Sequence, residues 1–272
     1  VRLLSLEEAA EAEPAEVGGK ARGLARLAQL GLPVPEALVL PAAAHERWQR
    51  GGAVTEEEAR HLWQVASTLG ETLAVRSSAA DEDSSTRSAA GQYESVMDVR
   101  DAVALRAAVE RCFSAAHEPR ATAYRRGVEV SRLALVLQTE IAAERSGVAF
   151  SIDPVSGSRE SIVIEAAFGH GHGIVSGELT PDRYFVNRRT GTVRARLADK
   201  VVAADGCGRL SPLPRERRFA RTLRDHEAGA LAALVGRAEA GFRQPVDVEF
   251  CFVGETPWLL QCRPITTVDG AD

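Results

Sequence analysis

Apolar residues recur at helical spacing in the first half of this 272-residue chain and at strand spacing in the second. Leu24, Leu27, Ala28 and Leu30 form a stripe that Gly31 stops, so the glycine turn Val17-Gly18-Gly19 is expected to feed a helix. Pro33-Val34-Pro35 leads into a short strand over 37–40. Residues 42–70 read as helical with a break at Gly51-Gly52. Residues 73–76 read as a strand that opens into a polar Ser/Asp/Thr loop running to about Ala90. Asp101 can cap a helix whose stripe is Leu105, Ala108, Val109, Cys112, Phe113 and Ala116.

From Leu133 the period changes. Residues 133–139, 147–152, 162–166, 183–186 and 192–202 read as strands, separated by Gly, Pro and Ser turns. A long helix over 216–241 precedes two apolar runs, 246–250 and 258–264, which flank Gly254-Glu255-Thr256-Pro257 as a β-hairpin. The pattern predicts an α+β chain in two lobes, 1–130 and 131–272, with a mostly antiparallel sheet in the C-terminal half. An interlobe cleft lined by charged loops is then the expected ligand site.

The hairpin carries the strongest chemical signal. Residues two apart on a strand share a face, which pairs Asp247 with Glu249 and Gln261 with Arg263. With a turn centred on Glu255, Asp247 lies opposite Arg263 and Glu249 opposite Gln261, while Val246, Val248 and Phe250 take the other face. Carboxylate and amide oxygens suit a hard cation such as Mg²⁺, and a guanidinium suits a phosphate. One face of this hairpin therefore reads as a metal–phosphate site.

Three weaker motifs lie upstream. Gly18-Gly19-Lys20 opens a helix, where backbone amides and a lysine can meet an anion, although a plain turn with a helix cap fits equally. The strand ending in Val75-Arg76-Ser77-Ser78 can set a guanidinium and hydroxyls on phosphate oxygens, or it can be a solvated loop. Gly169-His170-Gly171-His172-Gly173 reads as a mobile substrate loop in preference to a zinc site, because no third ligand is apparent.

Composition narrows the classes. Hydrophobic residues make up 45%, charged residues 26%, and the net charge is −5, so no broad basic surface for nucleic acid is indicated. No apolar run reaches the ~18 residues of a membrane span, and the acidic start has no signal-peptide core, which makes the expected location cytoplasmic. The four cysteines, at 112, 207, 251 and 262, show no CxxC spacing and read as reduced core thiols. Of 33 basic residues only Lys20 and Lys200 are lysine, which marks both as candidates for chemistry.

Taken in order, the motifs resemble the ATP-grasp nucleotide-binding domain of phosphoenolpyruvate synthase, pyruvate phosphate dikinase and the rifampicin phosphotransferases. The residues that carry the resemblance are Gly18-Gly19-Lys20; Val75-Arg76-Ser77-Ser78-Ala79 with Glu82-Asp83; Ala90-Gly91-Gln92; residues 147–153; Pro181-Asp182; Asp247-Val248-Glu249; and Gln261-Cys262-Arg263-Pro264. Relative to that family the chain looks shortened around 45–70 and 186–212. The resemblance implies a two-lobed ATP-grasp fold, with phosphate-binding loops in 1–130 and adenine- and Mg²⁺-binding strands in 131–272. It makes Lys20 and Arg76 phosphate ligands, Gln138 an adenine neighbour, Glu249 and Gln261 ligands of Mg²⁺ with Asp247 close by, and Arg263 a phosphate contact. Lys20, Arg76 and Arg263 are the implied catalytic residues, and ATP and Mg²⁺ the implied cofactors.

Family enzymes pass phosphoryl from ATP to a histidine on a swivelling domain and then to a small-molecule acceptor. The six histidines here, 45, 61, 117, 170, 172 and 226, include none in a phosphohistidine context, so the expected partner is such a domain or protein in trans. The alternatives are a stand-alone ATP-grasp kinase or ligase acting directly on a small molecule, and a non-catalytic nucleotide sensor.

Overall fold

A computed structural model describes residues 2–79, 94–117, 132–175, 177–206 and 208–265. Glu82-Asp83, Ala90-Gly91-Gln92 and Cys207 lie outside the described residues. The chain divides into two compact units: 1–29 with 35–140, and 30–34 with 141–272.

The first unit is built on a five-stranded antiparallel sheet. Its strands are β1 (Leu4–Ser5), β2 (Ala37–Leu40), β3 (Leu73–Ala79), β4 (Ser95–Val99) and β5 (Leu133–Thr139), in the order β1-β2-β5-β3-β4. The sequence boundary at 130/131 falls just before β5, which the structure pairs with β2 and β3 of this sheet. Helices α1 (Leu6–Glu11), α2 (Pro14–Gln29), α3 (Ala42–Gln49), α4 (Glu56–Ala66) and α5 (Ala102–Ala115) complete the unit. Capping fixes several starts: Ser5 with Glu8 and Thr55 with Glu58 form reciprocal boxes, and the Asp101 carboxylate accepts from the Ala104 N–H. The expected 42–70 helix is split as predicted, with Gly51 at φ 87°.

One face of this sheet, through Leu73, Val75, Leu133, Leu135 and Leu137, buries against Leu105, Val109, Cys112 and Phe113 of α5. The other face receives α2. That helix begins earlier than predicted, at Pro14, and breaks at Gly18 (φ 76°), so the glycine pair sits inside two joined helical stretches and not ahead of one.

The second unit holds a six-stranded antiparallel sheet in the order β13-β12-β6-β7-β8-β9. Its strands are β6 (Arg145–Phe150), β7 (Ser161–Phe168), β8 (Asp182–Asn187), β9 (Val193–Arg196), β12 (Val246–Val253) and β13 (Thr256–Pro264). A small ribbon, β10 (Val202–Ala204) with β11 (Leu210–Pro212), meets the end of β7 through a bridge between Gly169 and Ala204. Short helices α6 (His172–Val175) and α7 (Arg215–Arg218) precede the long α8 (Asp225–Phe242). The α+β class and the antiparallel C-terminal sheet are as the sequence predicts.

Two predicted elements are shorter. The strand expected over 192–202 ends at Arg196, and the helix expected over 216–241 is interrupted between Arg218 and Asp225. A single buried carboxylate accounts for both. Asp182, fully buried, accepts from Ala198 N (2.9 Å), Lys200 Nζ (2.6 Å), Thr222 N (2.9 Å) and Thr222 Oγ1 (2.8 Å). Each segment bends in to satisfy it, because a buried charge without partners is far costlier than lost helix or strand bonds. Lys200, a candidate for chemistry in the sequence, is 1% exposed and serves this internal ion pair.

Candidate functional site

In the first unit the glycine turn and the Arg76 strand are joined. The Ser78 hydroxyl donates to Val17 O (2.8 Å) and accepts from Ala21 N (3.0 Å), while Lys20 Nζ donates to Ser77 O (3.0 Å). Gly18 lies so close that a Cβ there would meet Ser78 O at 2.2 Å, so only glycine fits this approach. Along β3, Ala74, Arg76 and Ser78 share a face. The pairing of Ala74 with Gln138 and Arg76 with Val136 puts Gln138 on that face too. Lys20, Arg76 and Gln138 are thus gathered on the α2 side of one sheet. Gln138 is buried there, and Lys20 and Arg76 are part-buried.

In the second unit the hairpin register is Asp247 to Arg263 and Glu249 to Gln261, as the sequence predicts. The turn differs from the expected one centred on Glu255. Val253 pairs Thr256 around a two-residue turn, Gly254-Glu255, with Gly254 at φ 56°. Regular pairing from that turn would set Glu249 against Leu260. A β-bulge shifts the register between Glu249 and Phe250, with Phe250 opposite Leu259, and brings Gln261 and Arg263 into place.

Arg263 donates two bonds to Asp247 Oδ2, from Nε (2.8 Å) and Nη2 (2.7 Å). Burial pushes the Asp247 carboxyl up; Arg263 pulls it back and the Glu249 charge adds to the rise. Glu249 is part-buried and Gln261 is 5% exposed. Directly paired side chains on one face lie ~5 Å apart, so a carboxylate and an amide oxygen sit side by side next to a charge-assisted pair. This donor set fits Mg²⁺, which takes one or two protein oxygens and leaves its remaining positions to water and phosphate. Among the described residues no three His, Cys, Asp or Glu side chains form a metal-binding group.

Pairing carries this face across the sheet. The row through Gln261 and Glu249 continues to Val148, Glu165, Arg183 and Arg196, and Arg183 is bonded to Glu165. Glu165 and Arg183 were not singled out from the sequence. Their signal is the alternation in β7, where Glu165 is the one charged residue between apolar neighbours.

The start of the histidine loop has defined backbone partners. Gly169 N donates to Glu144 O (2.8 Å), Ser146 Oγ donates to Gly169 O, and His170 N donates to Ala204 O (2.9 Å). A Cβ on Gly169 would meet Ala204 O at 2.1 Å, and one on Gly173 would meet Leu179 Cγ at 2.7 Å. Ser146 belongs to the same sheet face as Glu249, so the loop rests one row along from it. Burial lowers the His170 imidazole, with the Asp205 charge opposing.

Cys112, Cys251 and Cys262 are buried, and burial pushes the thiols of Cys112 and Cys251 to about 11 and about 12. Among the described residues no helix is long and apolar enough to cross a membrane.

Comparison with known proteins bears on both halves. The family model described as pyruvate phosphate dikinase, AMP/ATP-binding domain, matches residues 52–272. The chain is 33% identical, over 94% of its length, to prodigiosin synthesizing transferase PigC of Serratia marcescens, of which it covers 32%. It is 30% identical over 97% of its length to a probable phosphoenolpyruvate synthase of Methanocaldococcus jannaschii, covering 26% of that protein. It is also 31% identical over 98% of its length to a rifampicin phosphotransferase of Streptomyces sviceus, covering 36%. The chain therefore spans about a third or less of these relatives' length.

Proposed function

Because the chain belongs to the family of pyruvate phosphate dikinase AMP/ATP-binding domains, with the ATP-grasp fold expected of it, we propose that it binds Mg²⁺·ATP and is the ATP-cleaving part of a phosphotransferase. The observation that carries this reading is the hairpin register, which sets Glu249 beside Gln261 and Asp247 against Arg263 on one face. Phosphoryl transfer asks little covalent chemistry of a protein; it needs positioning and neutralisation of charge.

The residues take the following roles. Lys20 and Arg76 hold phosphate oxygens, and Arg76 also steadies the charge that spreads over the transferred group. Gln138 borders the adenine. Glu249 and Gln261 hold Mg²⁺, which when bound shields the repulsion between phosphates. Arg263, held on Asp247 by two bonds, contacts a phosphate. The acceptor is a histidine on a swivelling domain or separate protein, and a small molecule receives the phosphoryl group from it.

The test is ³¹P NMR of the protein with Mg²⁺ and ATP, alone and with a histidine-bearing partner domain of the family. AMP and inorganic phosphate formed only with the partner support the proposal. ADP as sole nucleotide product with a small-molecule acceptor moves the reading to a direct kinase or ligase, whose acceptor would sit by the His170 loop. Tight ATP binding with no turnover under either condition would return the sensor reading.

A further inference from the structure

Away from both faces described above, α3 and the end of α5 bring two imidazoles together. His45, on α3, is fully buried; its ring stacks on Trp48 (6.0 Å between centroids, 15°) and lies 4.9 Å from Phe113. His117, two residues past α5, is exposed, and its Nε2 stands 3.3 Å from His45 Nε2. Gln49, four residues on from His45 and so on the same side of α3, brings its amide nitrogen to 3.5 Å from that His117 nitrogen. A half-turn of the amide presents its oxygen instead.

The spacing is chemically informative. Two imidazole nitrogens bound to one tetrahedral ion at ~2.0–2.1 Å are held ~3.3–3.4 Å apart. The two aromatic neighbours fix the plane of the inner ring, so only the outer ring and the amide need adjust. The donors are two imidazoles and an amide, a nitrogen-rich set that favours a borderline ion over Mg²⁺ or Ca²⁺.

We propose that His45, His117 and Gln49 form a binding site for a Zn²⁺-class divalent ion, with solvent completing the coordination. The ion ties α3 to the end of α5. It is a separate site from the Mg²⁺ and ATP residues and does not depend on them.

The test uses tag-free protein stripped with EDTA. ZnCl₂ is titrated calorimetrically in excess Mg²⁺, and Co²⁺ loading is followed by the visible bands of a tetrahedral complex. One equivalent of Zn²⁺ is expected to bind, weakened about tenfold or more in His117→Ala, since half the imidazole ligands are then gone. His117 is exposed, so this variant keeps the fold, and an unchanged urea midpoint checks that; His45→Gln serves as the second variant. No uptake by the wild-type protein, or uptake unchanged in His117→Ala, overturns the proposal and leaves a shared-proton hydrogen bond between the rings as the account of the 3.3 Å approach.

Discussion

Gly18 combines a positive-φ backbone (φ 76°) with contact against Ser78 O that admits no Cβ, and the two constraints act on the same atom. Gly18→Ala should cost about 2 kcal/mol or more, from strain in an extended, positive-φ backbone (φ 76°, ψ 173°) plus overlap, and should shift Lys20 with it. A urea titration reads the first effect, and a weaker affinity for ATP reads the second. A variant as stable as the parent would show that the turn can give way. Arg263 needs a different experiment, because it holds a buried carboxylate as well as a proposed phosphate. Arg263→Ala should destabilise by roughly 3 kcal/mol by leaving Asp247 buried and unpaired, whereas Arg76→Ala should abolish ATP turnover while leaving the fold intact. Wild-type-like turnover in Arg76→Ala would sink its assignment. At this scale the sequence was informative where chemistry and spacing coincided: alternation put Asp247 with Glu249 and Gln261 with Arg263, but their facing pairs followed from an assumed turn at Glu255 that the bulge after Glu249 happens to compensate. The buried partnership of Lys200 with Asp182 was not legible, since the two lie 18 residues apart with no periodic relation.

Among the elements, α8 and the hairpin turn are tied by a chain of ions. Glu227, on the first turn of α8, accepts from Arg145 Nη1 (2.9 Å to each oxygen) and from Arg224, while Arg145 also donates to Gly254 O and Arg224 to Glu255. Burial pushes Glu227 up, but Arg224 and Arg145 outweigh it and bring the carboxyl down to about 2. A carboxylate depressed in the folded state contributes stability that is complete above its unfolded value and is lost as the pH falls through the folded one. The loss should therefore run from pH ~4.5 down to about 2, at no more than ~1.4 kcal/mol per pH unit. Urea titrations across that range should show a steeper fall for the parent than for Glu227→Gln; parallel curves would remove Glu227 from the account. Long periodic elements such as α5 and β5 were readable in the sequence. The break before α8 was not, because residues 219–224 leave helical geometry to satisfy Asp182 and Tyr184, and tertiary hydrogen bonding overrode local propensity.

For the whole molecule, ligand linkage gives the simplest check. A nucleotide that binds only the folded chain stabilises it by about 2.7 kcal/mol at a concentration 100 times its Kd. Mg²⁺·ATP should raise the Tm of the parent, EDTA should abolish most of that rise, and Glu249→Ala should not show it. An equal rise in Glu249→Ala would exclude the hairpin face as the metal site. The α+β class was legible because helical and strand periods both occur and the strands cluster after Leu133. The division into units was less so, because β5 opens that cluster and still pairs within the first sheet. With Lys200 sealed inside at 1% exposure, an amine-reactive reagent applied to the folded protein meets a single reachable lysine, and it is the one proposed to hold ATP. Acylation by an acyl-phosphate nucleotide probe would then label one lysine, located by peptide mass and suppressed by competing ATP.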